Sequence, residues 1–299
     1  MILGWLNMKS KRKEARYFYM FISPWLVGFF LLTFIPLIYS LYLSLTQYSG
    51  SAAPKFIGLR NYTDILFHDD LFIKSLINSF QYAIIAVPTS LTLALIIAFL
   101  LSKESKVSNF FQIVFYFPSI AAGAAVFTVA KFLLKGEGGL LNYILSFFGI
   151  QGPNWLTDSK WAMTALVLVN LIFCGSQMLI FLAGIKQIPV SYYEAAKIDG
   201  AGGMKCFFKI TLPLISNVFV FNLVMGIINA FQIFVQPLIM TGGGPFKKTY
   251  MYGMYIYDSG FSFGRFGYAA SLAWIMFLII LFISMFILKS LEKRMNYED

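Results

Sequence analysis

The sequence predicts an all-α, polytopic membrane protein with six transmembrane helices. Three observations carry that class. Of 299 residues, 59% are hydrophobic and only 12% are charged, about half the charged share of an ordinary soluble domain. Mean hydropathy is +0.75. The charges are also segregated: residues 17–54, 75–102, 107–130, 161–185, 210–246 and 266–288 contain no Asp, Glu, Lys or Arg. Each run can hold the roughly 20 residues that a helix needs to cross a hydrocarbon core about 30 Å thick.

The first run follows a basic segment, residues 1–16. It is too long for a signal-peptide core and has no persuasive small-x-small cleavage site, so it reads as a retained anchor. A seventh charge-free run, Gly138 to Thr157, is apolar only from Leu140 to Ile150 and is followed by Gly152-Pro153-Asn154. That length suits an interfacial or re-entrant helix. Six spans place fourteen of the 23 cations on the side of both termini. They are Lys9, Lys11, Arg12, Lys13, Arg16, Lys103, Lys106, Lys186, Lys197, Lys205, Lys209, Lys289, Lys293 and Arg294. The loops on that side are the shorter ones, so both termini are expected in the cytoplasm. The expected organisation is a cytoplasmic segment 1–16, a six-span domain 17–289 with a cytoplasmic loop 184–213, and a cytoplasmic tail 290–299.

Several functions are disfavoured by what the chain carries. Its net charge of +10 comes from cations flanking apolar helices, which matches an anionic inner leaflet better than a nucleic acid. Cys174 lies in the fourth span and Cys206 in a cytoplasmic loop, so no disulfide is expected. With His68 as the one histidine, no metal site is expected either. His68, beside Asp69 and Asp70, reads as a surface residue. No G-x-x-x-x-G-K-[ST] motif occurs, and Gly242-Gly243-Gly244-Pro245 lacks the lysine and the following helix of a phosphate loop. The spans also lack the charge that an ion-coupled carrier uses. Transport through such a path must draw its energy from a partner.

The loop 184–213 holds the densest motif. Ser191 and Glu194 have capping-box spacing, which predicts a short helix from Tyr192. Gly200 is placed to end it, and Gly202-Gly203 to turn the chain into a second helix. Pro213 is expected at the start of the fifth span, where a missing amide is tolerated.

The stretch Glu194-Ala195-Ala196-Lys197-Ile198-Asp199-Gly200-Ala201-Gly202, running on to Ile210-Thr211-Leu212-Pro213, resembles the EAA loop of permease subunits of binding-protein-dependent ABC importers. Further stretches are similar to the carbohydrate-type members of that family, in the same order. They are Ile35-Pro36-Leu37 with the run Ser40 to Thr46, Phe56-Ile57-Gly58-Leu59-Arg60-Asn61-Tyr62, Thr241-Gly242-Gly243-Gly244-Pro245, and Phe266-Gly267-Tyr268-Ala269-Ala270-Ser271. Among them the chain most resembles the larger membrane subunit of the maltose transporter, without that protein's extra N-terminal helices and large periplasmic domain.

The resemblance implies the ABC importer permease fold, with the loop as a cytoplasmic coupling helix docking on a separate ATPase. Glu194, Ala195, Ala196, Asp199, Gly200 and Gly202 are the implied coupling residues. Glu194 has two readings that do not exclude each other, a capping-box partner and a glutamate facing an ATPase arginine. The implied partners are a second homologous permease, two ATPase subunits that bind ATP and Mg, and an extracellular solute-binding protein. The chain itself is then a transport subunit with no catalytic residues and no cofactor, in a bacterial inner or plasma membrane.

For the substrate path, Asn222, Asn229, Gln232 and Gln236 fall within roughly 80° on one continuous helix. Asn170 and Gln177 form a similar pair in the fourth span. Uncharged amides suit a hydroxyl-rich solute such as a sugar or oligosaccharide, and they also serve as hydrogen-bonding glue between helices. The alternatives are the same machine for glycerol phosphate or a peptide, and a stand-alone facilitator or channel.

Overall fold

In the computed structural model, residues 17–103 and 105–295 are described. The basic segment 1–16 with its five cations and the end of the tail, 296–299, lie outside the described residues. Helix α1 (Tyr17–Ser44) leads to short strands β1 (Thr46–Gln47) and β2 (Lys55–Phe56), paired antiparallel, and to α2 (Arg60–His68). Then come α3 (Asp70–Leu100), α4 (Lys106–Ile120), α5 (Gly123–Leu133) and α6 (Leu140–Phe147). They are followed by α7 (Ala162–Leu171), α8 (Gly175–Lys186) and α9 (Val190–Ile198). The order closes with α10 (Gly203–Leu214), α11 (Ser216–Phe231), α12 (Val235–Met240), α13 (Tyr252–Tyr257) and α14 (Phe266–Met295).

Among the described residues, α1, α3 and Phe266–Ser290 of α14 are long and apolar enough to cross a membrane. The pairs α4–α5, α7–α8 and α10–α11 pass the same test only as bent units, with bends of 100°, 45° and 73°. The six charge-free runs therefore correspond to three straight helices and three broken ones. Helix α6 has eight residues, a rise of about 12 Å, which fits the short element expected there.

The breaks have local causes. Pro118 lies in the last turn of α4; its missing N–H and its ring end the helical ladder, and Ala121 turns extended at ψ 151°. At Gly175, a Cβ would stand 2.1 Å from the Phe115 carbonyl oxygen, so only glycine lets α8 start so close to α4. Pro213 was expected to begin the fifth span, but it sits inside the last turn of α10. A wide turn, Phe207–Thr211, precedes it and opens room for the proline ring. Helix α1 repeats the device, with a wide turn at Phe30–Phe34 ahead of Pro36.

The chain divides into two compact units, one up to Ile65 with Ser259–Trp274, the other Leu66–Asp258 with residues from Ile275 onward. In the first unit, three distant motifs meet at one carbonyl. The Ser44 carbonyl oxygen accepts from Asn61 Nδ2 at 2.9 Å and from Ser271 Oγ at 2.8 Å. The Gly267 amide donates to the Tyr48 carbonyl at 3.1 Å, and Trp274 Nε1 donates to Ser40 Oγ at 3.0 Å. In the second unit, α3 packs against α7, α8, α11 and α13, and Leu166, Met178, Phe181 and Phe231 are almost wholly buried.

Candidate functional site

The second unit encloses a cavity of about 420 Å³, within the range of small-molecule sites. It is built where helices break. Ser119 lies in the last turn of α4, Phe173 lies in the gap between α7 and α8, and Ile233 and Phe234 lie in the gap between α11 and α12; all four line it. Irregular backbone inside a membrane is tolerated where it faces a cavity or buried protein, and broken helices mark solute sites in transporters.

Four of the six sequence-predicted path residues meet here: Asn170, Gln177, Asn229 and Gln236. Ser90 Oγ donates to Gln177 Oε1 at 2.5 Å. Gln236 Nε2 donates to the Leu166 carbonyl at 2.7 Å, and its Oε1 accepts from the Tyr82 hydroxyl at 3.4 Å. Phe127 and Phe173 lie with ring centroids 5.3 Å apart on the same wall. No charged side chain lines the cavity.

The single amide stripe needs correcting. Helix α11 ends at Phe231 and Gln232 is its C-cap, after which the chain is non-helical until Val235. The 100° periodicity stops there, so Gln232 lies exposed and outside the lining while Gln236 re-enters from another helix. Asn222 is buried outside the lining as well.

The polar loop 184–213 forms α9, but the helix starts at Val190 rather than Tyr192. Pro189 holds the N-cap position, and no side chain caps the helix. The expected capping box is therefore not made: Ser191 is already inside the helix, because the fixed φ of Pro189 starts it two residues early. Glu194, Ala195 and Asp199 are exposed and Ala196 is half-buried, leaving Glu194 with no side-chain partner among the described residues. Gly200 ends α9 as expected, at φ +72°. The Ala201 amide reaches the Ala196 carbonyl at 2.8 Å and the Gly200 amide reaches that of Lys197 at 3.0 Å, a Schellman motif. Gly202 is the N-cap of α10. Ile198 and Met204 are 88% and 71% exposed, and Tyr193 shares a 2.9 Å hydrogen bond with Thr211, tying α9 to α10.

The glycine-rich loop is a structural clamp. Gly242 and Gly243 have φ of 60° and 81°, and Thr249 Oγ1 donates to the Gly244 carbonyl at 2.6 Å. From α3, Lys74 Nζ holds the Phe246 carbonyl at 2.8 Å, and Asn78 Nδ2 those of Lys247 and Tyr250 at 2.7 and 3.0 Å. Burial holds the Tyr250 phenol above the usual tyrosine range, helped by its 2.6 Å hydrogen bond to Asp258 and that carboxylate's charge.

The family model described as binding-protein-dependent transport system inner membrane component matches residues 72–297. The chain belongs to this family. It is 39% identical to the probable ABC transporter permease protein YesP of Bacillus subtilis, over 97% of this chain and 95% of that protein. It is 30% identical to the arabinooligosaccharides transport system permease protein AraP of the same organism, over 96% and 91%. A bacterial ABC transporter involved in the import of the acidic polysaccharide alginate superposes with a TM-score of 0.82 over 96% of this chain and 99% of that one. At 20% identity, that likeness establishes the fold.

The permease is thus an inner-membrane transport component with several membrane-spanning helices. Sequence reasoning missed Tyr82, Ser90, Ser119 and Ser176 in its cavity wall. Tyr82, Ala86 and Ser90, all lining residues, recur every four positions on α3, so a polar and small-residue stripe was there to read. The rings of Phe127, Phe173 and Phe234 carried no such signal among 33 phenylalanines.

Proposed function

We propose that this permease imports a neutral sugar or short oligosaccharide delivered by an extracellular solute-binding protein. One observation carries the reading: the cavity at the helix breaks offers four amides, several hydroxyls and aromatic rings, and no charge. Amides and hydroxyls both donate and accept, as sugar hydroxyls require. Some relatives are named for saccharides, arabinooligosaccharides and lactose among them, and the related alginate transporter was crystallised with an alginate pentasaccharide-bound periplasmic protein. That transporter takes an acidic polysaccharide; a cavity without a cation favours an uncharged solute here.

The machine needs a second homologous permease and two ATPase subunits that bind ATP and Mg. With both termini in the cytoplasm, α9 faces those ATPases. Glu194, Ala195, Ala196, Asp199, Gly200 and Gly202 then form the docking element, with Ile198 and Met204 as its apolar contacts. ATP-driven closure moves α9; the Tyr193–Thr211 hydrogen bond passes the motion to α10, and α11 carries it to the cavity wall. Solute enters from the binding protein while the path opens outward.

Affinity purification of the tagged chain from its native membrane tests this, with Glu194→Lys alongside. Recovery of a P-loop ATPase and a second permease, with the ATPase lost from the variant, is the expected result. A chain recovered alone that passes sugar in liposomes without ATP would make it a facilitator instead.

A further inference from the structure

On α11, Asn222, Gly226 and Asn229 follow at intervals of four and three residues and so share one face. Gly226 and Asn229 line the cavity; Asn222, one turn nearer the coupling loop, does not. Its side chain is 1% exposed, and neither its Oδ1 nor its Nδ2 has a hydrogen-bond partner among the described residues. Burying an amide with both ends unpaired is strongly unfavourable, and such a group in a native fold calls for an explanation.

One turn nearer the coupling loop the helices close together. Val218 lies four residues before Asn222, and α8 closes on α11 there. A Cβ on Gly184 would stand 2.9 Å from Val218 Cγ2, and the rings of Phe181 and Phe219 lie 6.1 Å apart across the same seam. On the other side, the space at Gly226 is bounded by Val87 and by Gln177 Nε2. Asn222 therefore sits between a cavity that already holds polar groups and a tight apolar seam leading toward the coupling loop.

We propose that Asn222 is a solute-binding station on the exit path, covered in this conformation by the closure of α8 on α11 and uncovered when they part. Its ligand is the same neutral, hydroxyl-bearing solute, met after it leaves the cavity, so the inference rests on the sugar-importer reading. The unpaired amide disfavours the closed arrangement, and a hydroxyl arriving from above satisfies it as the seam opens.

The test uses the assembled importer in proteoliposomes, with Cys174→Ala and Cys206→Ala as background. Asn222→Cys and Asn229→Cys are labelled with methanethiosulfonate ethylammonium, both without nucleotide and after ATP–vanadate trapping. Asn222→Cys is expected to react in one condition and to stay silent in the other. Silence in both, with Asn229→Cys reactive, would overturn the station and leave the cavity reading standing. Silence at both positions would remove the cavity reading and the station with it.

Asn222→Leu separates a path role from a packing role, because leucine matches asparagine in shape and removes the unpaired amide. The probe is a panel of radiolabelled neutral mono- and oligosaccharides. The expected outcome is an unchanged or raised melting temperature with KM increased about fivefold or more, the value of one lost hydrogen bond, and partial rescue by Asn222→Gln. Wild-type uptake of every panel sugar by Asn222→Leu would make Asn222 a packing residue.

Discussion

Ser90 on α3 donates a 2.5 Å hydrogen bond to Oε1 of Gln177 on α8, across 87 positions of sequence. That bond occupies the amide oxygen, leaving Nε2 beside Gly226 at the cavity wall. Gln177→Leu should therefore weaken solute recognition without unfolding the chain. The apparent affinity in uptake assays should fall about five- to tenfold, while Ser90→Ala, which only frees the amide to rotate, should have a smaller effect.

Gly267 is a packing requirement of the first unit. A Cβ there would stand 2.1 Å from the Thr46 carbonyl oxygen, a backbone atom with little room to yield. Gly267→Ala should destabilise by about 1–3 kcal/mol, as overpacking does. Thermal unfolding in detergent reads the difference, with Gly28→Ala in α1 as a control free of crowding because nothing lies within 4 Å of that position.

Gly200 has open space around it but φ of +72°. Gly200→Val should cost about 1–2 kcal/mol locally and loosen the Schellman end of α9. Recovery of the ATPase on the tagged chain should drop, with the unfolding temperature of the membrane part little changed. Equal recovery would mean that the geometry of this turn does not matter for docking.

Tyr250 gives a pH signature. Its phenol pKa is raised in the fold by burial and by Asp258, above the unfolded value of about 10. Stability from this group is fully present below the unfolded pKa and declines as pH rises above it toward the folded pKa, because the unfolded chain then releases its proton first. Unfolding temperature should fall at alkaline pH, and Tyr250→Phe should flatten that fall while lowering stability at neutral pH through loss of the Asp258 hydrogen bond.

The short helix α9 and its end at Gly200 were legible because the signals are local. A polar, glycine-marked stretch ends an apolar run, and an αL turn needs glycine. The start of the helix was misread because Pro189 outcompeted the Ser191–Glu194 spacing. The amides that line the cavity were half legible. Residue type identified Asn170, Gln177, Asn229 and Gln236, but the break at Gln232–Phe234 has no proline within it to announce it. The family-like stretches around Ser44, Asn61 and Ser271 are readable one by one, yet nothing in their spacing said that the Asn61 and Ser271 side chains share the Ser44 carbonyl.

By itself, the sequence determined the class of the protein, the six apolar runs and the polar loop between the fourth and fifth, since the exclusion of charge from hydrocarbon acts residue by residue. Tertiary structure alone decided where those runs break and which residues the breaks bring together. A helix bends where a proline, a wide turn or a close glycine contact with a neighbour interrupts its hydrogen bonds, and the neighbour is known only once the chain has packed. The cavity exists where the helix interruptions near Ser119, at Phe173 and at Ile233–Phe234 meet against α3, and Asn222 is buried outside its lining.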